Sequence, residues 1–419
     1  MPAFLLPDDV RDRHVYVLGT TRSGKSTLLV NLIRQDIAQG KGVGFIDPHG
    51  DAAESVLRFI PEARVADTVY FEPTTYPIGL QTLSAEDETE VELLADDLLV
   101  TFRRLSQSWG ERMDSIFRYA FHTLLNVPGT TFLDLYSLLT DEGFRRRIVA
   151  QLTDPILVNY WTNEYHHLPK DAAAPITTRM TKFVLSKTLS RIFGTTDTLN
   201  LNDLMDRRGI LVVNLGRLGE DAAAILGSIL VSQLQIAALR RARFPPERRV
   251  PFYLYVDEFQ NFSGLSFHRI LSEAGKFGLC LTLAHQGLYQ LDEKTKQAIL
   301  ANAGAVILFA LGAEDADFFE HHLRYRPPRE RHWVGASGER TMRIAAEGCS
   351  PRNLRPFEIV VTTHARARAA RTFPLPTPHQ DLSGEIKARM KARLPRPAAR
   401  PEVYLEDDFE VAPSPKPTK

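Results

Sequence analysis

Eight consecutive residues, Gly19-Thr20-Thr21-Arg22-Ser23-Gly24-Lys25-Ser26, follow the pattern G-x-x-x-x-G-K-[ST]. Such a loop works only between a buried strand and the first turn of a helix, so it constrains the fold as well as the ligand. The two glycines let the backbone wrap closely enough for successive N–H groups to face phosphate oxygens. The lysine brings a point charge to the β/γ-phosphates, and the serine hydroxyl is a Mg²⁺ ligand. The flanks agree. His14-Val15-Tyr16-Val17-Leu18 is a β-prone run, and residues 27–34 place Leu29, Leu32 and Ile33 at helical spacing. The loop therefore implies nucleoside triphosphate, taken as ATP, with Mg²⁺. Its binding residues are Gly19, Thr20, Thr21, Arg22, Ser23, Gly24, Lys25, Ser26 and Thr27.

A second acidic element turns binding into chemistry. Phe252-Tyr253-Leu254-Tyr255-Val256 is an apolar strand that ends in Asp257-Glu258. Asp257 suits the role of Mg²⁺ holder, directly or through a water, together with Ser26. Glu258 would face the γ-phosphate and act as the base for an attacking water. A later strand ends in Leu283-Ala284-His285-Gln286, and Gln286 could hydrogen-bond the γ-phosphate or that water. The turn Asp47-Pro48-His49-Gly50-Asp51 closes another strand and makes Asp47 a further nucleotide-side candidate. Strand tips beside such a loop are where ligands bind in open α/β sheets. Lys25, Glu258 and Gln286 are thus the expected catalytic set.

The pattern along the chain predicts an α/β fold, a RecA-like P-loop NTPase. Its mostly parallel sheet has helices on both faces, with an inserted all-α subdomain. The first part of the ATPase domain is expected over residues 1–83, with strands at Val43-Gly44-Phe45-Ile46-Asp47 and near Val69-Tyr70-Phe71. The insertion is expected over 84–205. There Val91, Leu94, Ala95, Leu98, Phe102 and Leu105 share one helical face, and further helical runs cover 113–125, 131–139, 144–152 and 176–193. The second part of the ATPase domain, 206–372, holds strands at Ile210-Leu211-Val212-Val213-Asn214, 252–256, 279–283, 305–309 and 359–361, and a long helix over 221–243. The proline-rich stretch 373–419 reads as a disordered tail or as a tether to DNA or a partner protein.

With 419 residues, 51 Lys+Arg and 51 Asp+Glu, the chain has no net charge, so a nucleic-acid role would need a local basic surface. Candidates are Arg103, Arg104, Arg145, Arg146, Arg147, Arg240 and Arg241. Cys280 and Cys349 lack metal-ligand spacing. The start of the chain is too short and acidic for a signal peptide, and no uninterrupted apolar stretch reaches membrane-spanning length. The expected location is the cytoplasm, with peripheral membrane attachment through a partner.

Taken together, the loop at 19–26, the Phe45-to-Asp51 turn, Tyr255-Val256-Asp257-Glu258-Phe259-Gln260 and Ala284-His285-Gln286 resemble the HerA/FtsK superfamily of ring translocases. They are most similar to conjugative coupling proteins and type IV secretion ATPases. The stretches 210–216, 219–228 and 272–279 match the same branch, and the likeness covers about 10–363. The resemblance implies a hexamer with ATP at subunit interfaces and single- or double-stranded DNA in the pore. Relaxosome or secretion-complex partners are implied as well. So is an arginine acting in trans where this chain has Gly275; Lys276, Arg191 and Arg324 are the candidate substitutes. Neither an N-terminal membrane domain nor an N-terminal β-barrel is expected, a departure from that branch, so anchoring would come from elsewhere. The leading expectation is an ATP-driven DNA translocase. The alternatives are a secretion ATPase that moves protein or powers pilus assembly, and a nucleotide-gated assembly scaffold.

Overall fold

The computed structural model describes residues 6–80, 83, 85–104, 110–169, 171–195, 198–262, 266–322, 350–363 and 366–393. Nine strands form one sheet: β1 Val15–Leu18, β2 Gly42–Asp47, β3 Thr68–Phe71, β4 Ile210–Asn214, β5 Phe252–Val256, β6 Leu279–His285, β7 Ala305–Leu308, β8 Glu358–Thr363 and β9 Arg366–Arg371. Their spatial order is β3-β4-β2-β5-β6-β1-β7-β8-β9. The pairs from β3 through β7 are parallel, and β7–β8 and β8–β9 are antiparallel. Every residue of β1 to β7 is buried, so both faces of the sheet are covered. That burial explains why these strands read as continuous apolar runs rather than alternating ones.

Parallel pairing brings all their carboxyl ends to one edge of the sheet. Because β6 lies between β1 and β5, the tip of β6 stands between the phosphate loop and the two acids after β5. This order gathers residues from three distant parts of the chain.

From Glu88 to Asp206 the described chain is mostly helical, as the spacing predicts. It begins with Glu88–Arg104, Glu111–Leu125, Asp134–Thr140 and Glu142–Val149 and closes with Leu201–Asp206. The stretch read as one helix over 176–193 is two, Ala174–Leu185 and Lys187–Phe193. Ser186 leaves helical geometry and caps the second through Leu189 N–H. Phe102, Phe117, Phe121, Phe132, Phe183 and Phe193 form the aromatic centre of this layer. Leu105, on the predicted face, lies outside the described residues. One helical run, Glu220–Arg243, is long and apolar enough to cross a membrane, but its apolar window is 78% buried inside the fold. It is a core helix.

The segment 373–393 departs from the expected disorder. After β9 it crosses the loop helix Lys25–Ala38, where Asn31 Nδ2 donates to Phe373 O at 2.8 Å. It then ends in a helix, Ser383–Ala392, docked on β3 and on helix Asp51–Leu57. Ile386 and Met390, one turn apart, are buried there. Lys387 pairs with Glu54 at 2.6 Å, and Arg389 donates to the carbonyls of Val65 and Ala66. Prolines in 374–378 break regular structure, but this short apolar pair is enough to anchor the helix beyond them. Residues 394–419 lie outside the described residues.

Candidate nucleotide and hydrolysis site

Residues 19–26 leave the tip of β1 and enter helix Lys25–Ala38 directly, the strand–loop–helix setting the motif requires. Gly24 has φ 113°, and a Cβ there would lie 2.8 Å from the Phe357 ring, so the position needs glycine on both counts. The loop is pinned from outside: Gly19 N–H donates to His285 O, Thr20 N–H to Ala310 O, and Phe357 N–H to Ser23 O. Lys25 Nζ reaches back to the carbonyls of Gly19 (2.6 Å) and Thr20 (3.1 Å). Burial lowers the Lys25 pKa, and the nearby Glu258 and Asp257 charges oppose that shift.

Across from the loop, Ser26 Oγ donates to Asp257 Oδ2 at 3.3 Å. Asp257 is 3% exposed and its carboxyl is pushed up to about 6, first by burial and then by Asp47 and Glu258. Three carboxylates thus crowd one buried corner with Lys25 as the nearest cation. A hydroxyl and a carboxylate within contact of each other, in an excess of buried negative charge, fit a divalent cation. Ser26 and Asp257 are the residues that would hold it.

Glu258 adopts φ 44°, ψ 48°, an uncommon left-handed conformation for a non-glycine residue. That turn swings its side chain away from Asp257. Both carboxylate oxygens are then held, Oε1 by Gln286 Nε2 and Oε2 by Gln260 Nε2, each at 2.9 Å. Gln286 Oε1 accepts from Thr21 Oγ1 at 3.0 Å. A continuous chain runs from the loop tip through the amide to the base: Thr21, Gln286, Glu258. Sequence reasoning placed three of its members but assigned no role to Gln260. Its signals were an amide two residues after the base and a place in the 255–260 stretch.

The Asp47 carboxylate is occupied by backbone: it accepts from His49 N–H and Ala53 N–H, both at 2.9 Å. It shapes the turn and starts helix Asp51–Leu57, while its charge acts on Asp257. Gln290 also lacked a sequence signal. Its Oε1 accepts from Gln286 N–H (3.2 Å) and Gly287 N–H (3.1 Å), fixing the tip of β6. His285 is fully buried against Tyr16 Oη (Nε2, 2.5 Å), and burial lowers its pKa to about 3, so the imidazole stays neutral.

The arginines proposed for nucleic acid divide. Arg241 is buried and bound to Asp206 and Val250 O. Arg240 makes a two-pronged pair with Glu90, tying the core helix to the helical layer. Both are structural. Arg103 pairs with Asp114 and Arg145 donates to Leu138 O. Arg146 pairs with Glu142 at 2.6 Å, both largely exposed, and Arg147 is exposed beside Phe144. Arg104's side chain lies outside the described residues. Among the substitutes for the missing trans arginine, Lys276 is exposed before β6, at the sheet edge opposite the loop, and Arg191 is exposed in the helical layer. Arg324 lies outside the described residues.

A parallel sheet carrying this loop, a strand-end Asp-Glu pair and an amide between them defines a P-loop ATPase. Residues 2–361 match the family model of the type IV secretion-system coupling protein DNA-binding domain, and the chain belongs to that family. Among solved structures it is similar to the plasmid coupling protein TrwB in complex with ADP and Mg²⁺ (16% identity, TM-score 0.61, covering 90% of this chain and 89% of that one). TrwB with a non-hydrolysable ATP analogue (18%, 0.59, 90% and 88%) and VirB4 of Thermoanaerobacter pseudethanolicus (13%, 0.59, 87% and 90%) are similar too. A search of the curated proteins gave no match.

Proposed function

We propose that this chain is the motor subunit of a conjugative DNA-transfer system: a ring, expected to be a hexamer, that hydrolyses ATP to move DNA through its pore. The observation that carries this reading is the Thr21–Gln286–Glu258 chain in a member of the coupling-protein family. A scaffold whose hydrolysis only times assembly would carry the same chain of contacts, so it is membership of the coupling-protein family that favours a motor.

In this reading the backbone N–H groups of 19–24 and the Lys25 ammonium hold the phosphates. Ser26 and Asp257 would hold Mg²⁺, and that ion would supply positive charge to the phosphates. Glu258 takes the proton of the attacking water through the lone pairs its amide partners leave open. Gln286, hydrogen-bonded to both Glu258 and Thr21, ties the base to the state of the loop. Asp47 contributes charge beside Asp257 and keeps the neighbouring turn in place. The trans-acting cation and peripheral attachment at a membrane belong to the assembled ring and its partners.

The test is ATP turnover by the full chain with and without single- and double-stranded DNA at low salt. DNA should raise turnover several-fold, and added salt should remove the effect because sequence-independent phosphate contacts release counterions. Turnover unaffected by either DNA would refute the translocase. The zero net charge and the inward pairing of Arg240 and Arg241 favour a second reading, a secretion ATPase that moves protein or powers pilus assembly. DNA-independent turnover is what that reading predicts.

A further inference from the structure

The phosphate site fixes which way a nucleotide must lie. Glu258 and Gln286, on the β5 and β6 side of the loop, mark the γ-phosphate end. The nucleoside of a triphosphate lying along the loop must leave on the opposite flank, over β7, β8 and β9. Two aromatic residues stand there, Phe357 and Phe373.

Phe357, just before β8, has φ 71°, a genuine outlier for a bulky residue. Its N–H donates to Ser23 O at 2.8 Å and its ring edge lies against Gly24, so the strained residue is built onto the phosphate loop. Its side chain is only half-buried. Backbone strain of this kind marks positions where structure is held for function. Phe373, just after β9, is 58% exposed, one of few large apolar side chains so exposed among the described residues. It is nonetheless held in place. Thr372 N–H donates to Phe357 O at 2.8 Å, and Asn31 Nδ2 donates to Phe373 O at 2.8 Å. Asn31 is one turn beyond Thr27 on the same face of the loop helix, and Thr27 directly follows the last residue of the loop. Both aromatic residues are therefore tied to the loop or its helix on the flank where the nucleoside emerges.

We infer that Phe357 and Phe373 form the platform that receives the base of the nucleotide, reading its flat face rather than its edge. This rests on the triphosphate reading of the 19–26 loop. An aromatic face accepts any base, so the contact supplies affinity with little discrimination between bases.

The experiment measures dissociation constants of the full chain for ADP and for inorganic tripolyphosphate, both with Mg²⁺, by calorimetry. Phe373→Ala should weaken ADP about tenfold and leave tripolyphosphate unchanged, because one stacked ring is lost. Phe373→Trp should keep ADP affinity. Phe357→Leu should behave as Phe373→Ala does. If Phe373→Ala binds ADP within about twofold of wild type, or loses both ligands equally, the platform is refuted while the phosphate site stands. If Phe357→Leu loses tripolyphosphate as well, Phe357 shapes the loop and is not part of the platform. Wild-type protein that binds neither ligand refutes the phosphate reading and the platform with it.

Discussion

Asp257→Asn should make this protein more stable above pH 6 and unable to gain stability from Mg²⁺-nucleotide. Asp257 is nearly fully buried, and its carboxyl is pushed from the ordinary 3.8 to about 6 by burial, Asp47 and Glu258. The folded chain therefore holds this proton more tightly than the unfolded chain. Stability falls as pH rises through that interval, and the cost is complete above the folded value. The difference corresponds to about 3 kcal/mol. Asparagine removes the charge but keeps the contacts. Its Oδ1 can accept the Glu258 N–H (3.0 Å in the wild type), and its amide can meet the Ser26 hydroxyl. The shift to about 6 already contains the attraction of Lys25, so the expected gain is the full ~3 kcal/mol, a rise of about 3–4 °C in melting temperature for a chain of this size. Thermal unfolding at pH 4, 5, 6 and 8, with and without Mg²⁺-ADP, is the assay. The variant should melt above wild type at pH 8, with the gain gone by pH 4, and Mg²⁺-ADP should raise only the wild type. A variant that melts below wild type at pH 8, or gains equally at pH 4 and 8, would refute the picture of three carboxylates awaiting a cation.

Lys25→Ala should weaken nucleotide binding by about 10–100-fold in calorimetry, because it deletes a charge-assisted phosphate contact. Glu258→Gln should bind ATP normally while its turnover falls by about 10²–10⁴-fold, since it keeps the shape and removes the base; normal turnover would reject Glu258. Gln286→Ala should cut turnover about tenfold or more with affinity nearly unchanged, because it severs the Thr21-to-Glu258 link without touching the phosphate cradle. Ile386→Ala should destabilise the fold by about 2–4 kcal/mol and expose 373–393 to limited proteolysis. Proteolysis at wild-type rates would mean that helix Ser383–Ala392 does not hold the 373–393 segment in place.

The nucleotide half of this site was legible in the sequence because its chemistry is local. The loop at 19–26 and the Asp257-Glu258 pair each lie in one short stretch, next to strands apolar enough to recognise. Pairing order is not local. That β6 lies between β1 and β5, and so delivers Gln286 to Glu258, results from crossovers that no residue pattern records. Gln290 escaped notice, and Gln260 was given no role, for a related reason: an amide has no periodicity, and its role depends on what faces it. Asp47 was found at the right strand tip, but its backbone partners His49 and Ala53 lie on its own turn. β9 was missed because Arg366-Ala367-Arg368-Ala369-Ala370-Arg371 is poor in β-branched residues and becomes a strand by pairing with β8. Helix Ser383–Ala392 was hidden among prolines and charges, with Ile386 and Met390 as its buried apolar anchors.

Hydrolysis by this protein is expected to move DNA. The decisive measurement is whether the protein, given ATP, strips streptavidin from biotinylated ends of single- or double-stranded DNA. Displacement is expected with ATP, none with a non-hydrolysable analogue, and none with Glu258→Gln. Robust ATP hydrolysis by wild type on DNA that leaves every streptavidin in place would contradict that expectation.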